Sequence, residues 1–571
     1  MFEELAEKAR IALYDKYSLG DLVVPWRRPQ ERAHGDAATT VALQLAKNLK
    51  KKPQEVAQVL CDALKQCASV EKAEVAGAGY VNVWLTPEAL IRELQTTETA
   101  CAQWPTRKGE GPVIIDYSQP NIAKPLGVHH ILSTVVGQCL CNVHRHLGYE
   151  VIGWNYIGDW GTQFGKLAVA WEKWGKGKPV SEHSLDELLE LYVRFHAEAE
   201  KDKTLDEAAR AAFLKLEQGD KNLRSFWEGV VQVTKASLSA IYERLHVRFD
   251  LDIGESFYED KMQPILEEGK KKSVFVKGEE GSLIVMFKEE EKLPPFLVQK
   301  GDGATLYATR DLAQIRYRID TYHPQAILYV VDVAQQLYFQ QLFKTVSRLD
   351  WKLPLLEHVV FGRMRFKEKA MSTRKGTVLK LEHVLDEAVT RAREAIAEHR
   401  DSIQTDDENA LAEMMGTGAL VYGILSQNRK MDLIFDWEKV LALEGNSAPY
   451  LQYTHARACS VLRKAGSKDA PSLRNVDVFT DYVFTEHERS LIGMLLQFAD
   501  ALEEARAQRM PHTLANYLYG LCQEFNSFYN VEPILKAEGA TKALRLFLTS
   551  LTARVLKTGA FLLTLRVPER M

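Results

Sequence analysis

The stretch DYSQPNIAKPLGVHHILST (116–134) sets Lys124, His129 and His130 in a loop containing proline and Gly127, just before a helical pattern. A helix start offers unpaired N–H groups and the positive end of the helix dipole, so with basic side chains beside it this loop suits a phosphate chain. A second basic segment, KEKAMSTRKGTVLKL (367–381), carries Lys367, Lys369, Arg374 and Lys375 around the turn Met371-Ser372-Thr373. Such a loop can close on a pyrophosphate leaving group and neutralise charge that grows in the transition state. Asp116, Asn121, Tyr307, Asp311, Asp332 and Gln335 form a third set, all at the ends of expected strands or at nearby helix starts. Carboxylates and amides converging there suit a planar guanidinium with its fixed fork of donors. Lastly, Tyr450 and Tyr453 in APYLQYTHARACSVLRK (448–464) share a helix face, with QEFNSFYN (523–530) further on. That face can stack unpaired bases or simply pack a core. A capped helix, a solvated loop and surface acids remain the plainer readings of the first three sets.

These residues need a scaffold, and the pattern supplies one. PVIIDYS (112–118) is a short apolar run ending in polar residues, as buried parallel strands are. Val128, Ile131, Leu132, Val135, Val136, Cys139, Leu140 and Val143 then recur at helical steps, and YEVIGWNYIGD (149–159) reads as another strand. Strand, helix, strand is a βαβ unit, which places ligands at strand C-terminal ends and at the helix N-terminus. The segments 294–319, 325–333 and 358–366 read as the other half of the same sheet. Between the halves, 166–293 alternates charged helices with a hairpin-like KKKSVFVKGEEGSLIVMFKEEE (270–291), the pattern of an insertion. Before the sheet, KAEVAGAGYVNVWL (72–85) suggests strands about a Gly-Ala-Gly turn, and from about 380 onward the period is helical.

Length and composition agree with several cores. The chain has 571 residues, 46% hydrophobic and 26% charged, which excludes fibrous and disordered classes. The net charge of −4 means that any polyanion must be met by local basic patches. Neither a long apolar run nor a signal-like start occurs, so a cytosolic protein with no membrane partner is expected. Seven cysteines without a CxxC pair fit reduced thiols, and no metal site is expected from them.

Taken in order, the motifs resemble the class I aminoacyl-tRNA synthetases, specifically the arginyl-tRNA synthetase family. HGDAATTVALQLAK (34–47) and GAGYVNVWL (77–85) resemble its N-terminal domain, SQPNIAKP (118–125) its signature before the HIGH motif, and NYIGDWGTQFG (155–165) its next block. LYATRD (306–311) and VVDVAQQLYFQQLF (330–343) resemble its second half-sheet, MSTRKG (371–376) its KMSKS region, and YLQYTHAR (450–457) with PERM (568–571) its anticodon-binding domain.

The resemblance implies an α/β multidomain protein with a Rossmann-type parallel-sheet catalytic core. The expected divisions are an N-terminal α+β domain (1–108), the catalytic domain (109–380) with its insertion (166–293), a helical stem (381–440) and a helical bundle (441–571). It implies ATP-dependent formation of arginyl-adenylate, then transfer to the 3′ end of tRNA(Arg), with Mg²⁺ accompanying ATP and with a monomer as the working form. By the same resemblance Asp116, Asn121, Tyr307, Asp311 and Gln335 hold arginine. Lys124, Gly127, His130, Met371, Ser372 and Thr373 hold ATP, and Lys124, His129, His130, Arg374 and Lys375 serve catalysis. Tyr80 and Asn82 are expected to meet the tRNA D-loop, and Tyr450, Tyr453, Tyr529 and Met571 the anticodon.

Two positions depart from the family's pattern. Gly127-Val128-His129-His130 stands where His-x-Gly-His is usual, and Ala370 and Thr373 stand where KMSKS has lysines. Gly127 tolerates positive φ, so the loop is expected to be re-routed there, bringing His129 to the phosphates or the adenine pocket. A catalytically silent, tRNA-binding paralogue is the alternative that these departures leave open.

Overall fold

The computed structural model describes residues 2–20, 22–29, 34–107, 109–175, 177–367, 379–400, 403–466, 473 and 476–571. At the N-terminus, β1 (Ala37–Thr39), β2 (Val70–Ala76) and β3 (Tyr80–Leu85) form an antiparallel sheet in the order β1-β3-β2, backed by helices. The hairpin turns at Gly77 and Gly79, whose φ values are +52° and +133°. A Cβ on Gly79 would come within 2.7 Å of Pro53, so only glycine fits there.

The central sheet is five-stranded and parallel, in the order β11-β10-β4-β5-β6. It contains β4 (Val113–Asp116), β5 (Val151–Asn155), β6 (Leu251–Asp252), β10 (Ala326–Asp332) and β11 (Leu355–Phe361). Every residue of β4 is buried, because alternate side chains feed opposite cores. Val113 and Ile115 pack with the helix His130–His146, and Ile114 with Trp154 and Leu312 beneath the other face. From β4 the chain crosses to β5 on one side, and from β10 to β11 on the other, so the β4/β10 boundary is the topological switch point.

Three expectations need correcting. The strand expected near 294–319 is β9 (Phe296–Gln299), and it does not join the central sheet. It pairs with β8 (Leu283–Val285), which pairs in turn with β7 (Val276–Lys277), in a separate antiparallel sheet. The 166–293 stretch is mostly helical but also supplies the edge strand β6. The 358–366 run splits at Gly362, where a Cβ would lie 2.4 Å from the Met431 carbonyl oxygen. Its second half, β12 (Met364–Phe366), pairs with β13 (Leu433–Phe435) inside the otherwise helical C-terminal part. Short apolar runs look alike whichever sheet receives them.

Candidate active site and C-terminal cavity

Asp116 ends β4, in register with Tyr329 of β10, directly at the switch point. The chain then bends through three non-glycine residues of positive φ, Ser118 (72°), Gln119 (52°) and Ala123 (62°). Each costs about 1–2 kcal/mol, so surrounding bonds must enforce the shape. Ser133 Oγ accepts from the Ser118 N–H at 2.9 Å and donates to the Val330 carbonyl at 2.6 Å, tying loop, helix and β10 together. Thr234 Oγ1 accepts from the Ala123 N–H at 3.1 Å. Asn121 lies exposed against Gly158, where a Cβ would sit 2.4 Å from its Oδ1. Lys124 is half-buried, its Nζ 5.1 Å from the Tyr192 ring centre.

The acids of this site have unequal surroundings. Asp116 is fully buried and already paired: Arg318 Nη2 donates to its Oδ2 at 2.6 Å, and Gln119 donates to its Oδ1 at 2.8 Å. Arg318 is itself fully buried, with its guanidinium 4.3 Å from the Trp154 ring centre. Burial raises the Asp116 carboxyl, and Arg318 pulls it back. Asp311, one turn into the helix Tyr307–Tyr322, accepts a hydrogen bond from the Tyr338 hydroxyl, and among the described residues it makes no ion pair. Burial pushes its carboxyl up to about 6, against the pull of Tyr338, and the charge of Asp116 pushes the same way.

Next to it Arg310 spans two further acids, Glu255 at 3.0 Å and Glu259 at 3.4 Å. Burial pushes Glu255 up to about 7, with Arg310 opposing and Asp311 and Asp159 adding to it. The site therefore gathers Asp116, Asp159, Glu255, Glu259 and Asp311, of which Arg318 pairs with Asp116 and Arg310 with Glu255 and Glu259. Among the described residues, the hydroxyls of Tyr156 and Tyr258 are buried nearby without a hydrogen-bond partner, and that of Tyr329 lies beside Arg318. A surplus of buried carboxylate with unspent polar groups is a cation-binding arrangement. Tyr307 is 69% exposed and lines the mouth, a cavity of about 350 Å³ shared with Trp160, Gln163, Glu255 and Arg310. Gln335 is exposed past the end of β10, where Asp332 is spent on capping the Ala334 N–H at 2.7 Å.

At the loop's far end, His129 precedes the helix His130–His146, and the two rings lie 4.0 Å apart. His130 Nδ1 sits 3.1 Å from the Gly127 amide nitrogen and 3.2 Å from its carbonyl oxygen. Burial pushes His130 down to about 4, with His129 adding to the effect, so the ring is neutral at pH 7. Gly127 does not take a positive φ. It forms an antiparallel bridge with Lys380, while Val128 N–H donates to the Leu379 carbonyl and Leu381 N–H to that of Leu126. The expected re-routing at Gly127 is thus corrected: strand-like pairing holds it, and the left-handed residues lie upstream. Met371, Ser372, Thr373, Arg374 and Lys375 fall outside the described residues. The chain beyond them re-enters at Leu379, hydrogen-bonded beside this turn.

A cavity of about 1240 Å³ lies in the C-terminal part, and Tyr453, Tyr529 and Met571, three of the four positions expected there, are among its lining residues. Arg457 lies between the two rings, 4.7 Å from Tyr453 and 5.0 Å from Tyr529. Tyr450 is absent from that lining; its hydroxyl accepts from Asn526 at 3.0 Å, and its ring packs 5.7 Å from Tyr519. The 100° step per residue explains the split, since positions three apart diverge by about 60°. In the N-terminal sheet Tyr80 is 46% exposed, whereas Asn82 is 3% exposed.

Comparison with known proteins settles the relationship. The pattern "tRNA synthetases class I (R), catalytic domain" matches residues 94–437, "DALR anticodon binding domain" 451–571, and "Arginyl tRNA synthetase N terminal domain" 3–85. An arginine–tRNA ligase of Fusobacterium nucleatum is 37% identical over 538 residues, 94% of this chain and 93% of the relative. One of Exiguobacterium sibiricum is 39% identical over 547 residues, 95% of each.

The chain belongs to the arginyl-tRNA synthetase family.

The Thermus thermophilus arginyl-tRNA synthetase structure superposes over 100% of both chains, with a TM-score of 0.79 at 27% identity. That of Plasmodium falciparum has the same fold, with a TM-score of 0.81 at 22% identity over 100% and 99%. Within this synthetase fold, the sequence reading missed Arg310, Arg318, Glu255, Glu259, Tyr156 and Tyr338. Tyr156 lay inside a recognised motif, and Glu255 inside the stretch taken for an insertion. Nothing in helical period marks Arg318 as turned inward beneath the sheet.

Proposed function

We infer that this chain is an arginine–tRNA ligase, which activates L-arginine with ATP and transfers it to the 3′ end of tRNA(Arg). The observation that carries this reading is Asp311, a half-buried carboxyl beside the switch point that makes no ion pair among the described residues. The full-length likeness to arginine–tRNA ligases supports it.

In this reading the substrate guanidinium meets Asp311, with Tyr307 at the mouth and Glu255 beside it. Asp116 stands behind them, committed to Arg318, and contributes through its charge. Asn121 and Gln335, at the ends of β4 and β10, take the amino-acid end. Lys124, Gly127, His129 and the neutral His130 face the ATP phosphates at the helix start. Met371, Ser372, Thr373, Arg374 and Lys375 complete that site from the segment whose described end pairs with Val128. Mg²⁺ would bind with the phosphates and supply charge neutralisation there. Among the described residues no group of three His, Cys, Asp or Glu is arranged to hold a metal, and a phosphate-borne ion needs none.

Tyr80 would face the D-loop, with Asn82 buried behind it and out of reach of a partner, and the cavity of Tyr453, Tyr529 and Met571 would face an anticodon base, with Tyr450 supporting the wall. Among the described residues no helix is long and apolar enough to cross a membrane. The reading places the enzyme in the cytosol as a monomer. The experiment that tests the assignment is arginylation of total tRNA by the purified protein. Charging with arginine alone among the amino acids supports it, and charging with another amino acid refutes it.

A further inference from the structure

Of the hydroxyls gathered about Asp116 and Asp311, that of Tyr338 is committed to the carboxylate on which the proposed arginine site turns. Tyr338 stands in the first turn of the helix Gln336–Arg348, and its ring packs edge-on against Phe296 of β9, with 5.6 Å between centres, and against Phe339, with 5.7 Å. These contacts hold the phenol across the gap to the helix Tyr307–Tyr322, where its hydroxyl donates to Asp311 Oδ2. Among the described residues it is the one hydrogen bond that the Asp311 carboxylate accepts. The nearby guanidinium groups are engaged elsewhere, Arg318 with Asp116 and Arg310 with Glu255 and Glu259.

A single bond of this kind does two things. A carboxylate held at one oxygen no longer turns freely, and a guanidinium fork needs both oxygens in a fixed plane. An ionised carboxylate has about four acceptor sites, so one donor on Oδ2 leaves about three for a substrate. The bond also favours the charged form of Asp311, against the burial that disfavours it. Burial and the charge of Asp311 push the Tyr338 hydroxyl well above the ordinary phenol range, so it remains a donor. Facing Asp311 from the other elements and from its own helix are Asp116 and Glu255, which oppose its charge, Arg310 and Arg318, which favour it, and the neutral phenols of Tyr156 and Tyr329. None of these six is hydrogen-bonded to Asp311 among the described residues.

We propose that Tyr338 is a positioning residue for arginine recognition: its hydroxyl fixes the Asp311 carboxylate that meets the substrate guanidinium. The proposal rests on the arginine–tRNA ligase reading and deepens it. The test is arginylation of tRNA(Arg) by the full-length enzyme, with the arginine KM followed from acid to alkaline pH. Tyr338→Phe keeps the ring and loses the donor. It should raise the arginine KM about tenfold at neutral pH, the scale of a hydrogen bond to a charged group, while kcat and the ATP KM stay near the parent's. The rise of the arginine KM on acidification should begin at higher pH than in the parent, because Asp311 loses a bond that favours its charge. In an Asp311→Asn background the same substitution should change the arginine KM by less than about twofold, since the pair acts as a unit. Tyr338→Met, also without a donor, stands in should the Phe variant not fold, with thermal melting as the check.

A folded Phe or Met variant that keeps the parent's arginine KM and pH profile overturns the proposal. So does one that raises the KM for arginine and ATP alike, or whose full effect persists without the Asp311 carboxylate, since Tyr338 would then serve packing. A parent that charges no tRNA with arginine refutes the underlying function instead, so the two failures are distinguishable.

Discussion

Asp311 and Asp116 differ in one respect on which their proposed roles turn: among the described residues Asp116 pairs with a guanidinium and Asp311 makes no ion pair. Replacing Asp311 by Asn removes the acid opposite a buried cation, a loss of order 3–5 kcal/mol. The arginine KM should therefore rise by about a hundredfold or more while the ATP KM moves little; equal effects on both would show Asp311 to be structural. Replacing Arg318 by Met leaves Asp116 charged and unpaired in the core, and urea unfolding should show a loss of about 3–5 kcal/mol. Adding Asp116→Leu should restore most of it, and a double variant as unstable as the single would contradict the pairing.

The raised carboxyls also set a pH dependence. Asp311 at about 6 and Glu255 at about 7 hold protons in the empty site as pH falls through that window. A bound guanidinium favours their ionised forms, so binding must displace those protons. The arginine KM should climb below pH 7, steepening below 6, and Asp311→Asn should flatten the lower part. For the empty protein the sign is opposite. Both groups sit above their unfolded values of about 3.9 and 4.3, so their contribution to stability is full below about pH 4 and is lost as pH rises from there through about 6 for Asp311 and about 7 for Glu255.

Among elements, the loop from Ser118 to His129 does the positioning, and it shows how far sequence reaches. Its place between β4 and the helix His130–His146 was legible, because a buried strand and an amphipathic helix announce themselves by apolar spacing. Its left-handed residues were not legible, since Ser118, Gln119 and Ala123 are held there by Ser133 and Thr234, partners supplied by tertiary structure. The same limit hid the membership of β9 and β12. It also let Tyr450 and Tyr453 pass as one face, whereas only Tyr453 lines the cavity. Tyr453→Ala should accordingly stay folded and raise the KM for tRNA, with about 1–3 kcal/mol of stacking lost. A melted bundle on circular dichroism would show the ring to be core.

Across the whole molecule, the terminal parts are clasped to one another beside the sheet. Arg489 reaches Asp36 at 2.9 Å, Arg554 reaches Glu98 at 2.5 Å, and Arg28 lies 3.6 Å from both Glu93 and Asp500. The N-terminal sheet that presents Tyr80 is thereby joined to the bundle that holds the Tyr453 cavity, and in the proposed reading one tRNA would load both. Contacts of this kind bias domain arrangement, and the resemblance to the family implies adenylate formation only with tRNA present. The measurement that tests the account most directly is ATP–pyrophosphate exchange driven by arginine, run with and without tRNA(Arg). The account predicts exchange with arginine when tRNA is present, and little without it. No exchange under either condition, from a folded protein that still binds tRNA, would contradict it and leave a tRNA-binding paralogue in its place.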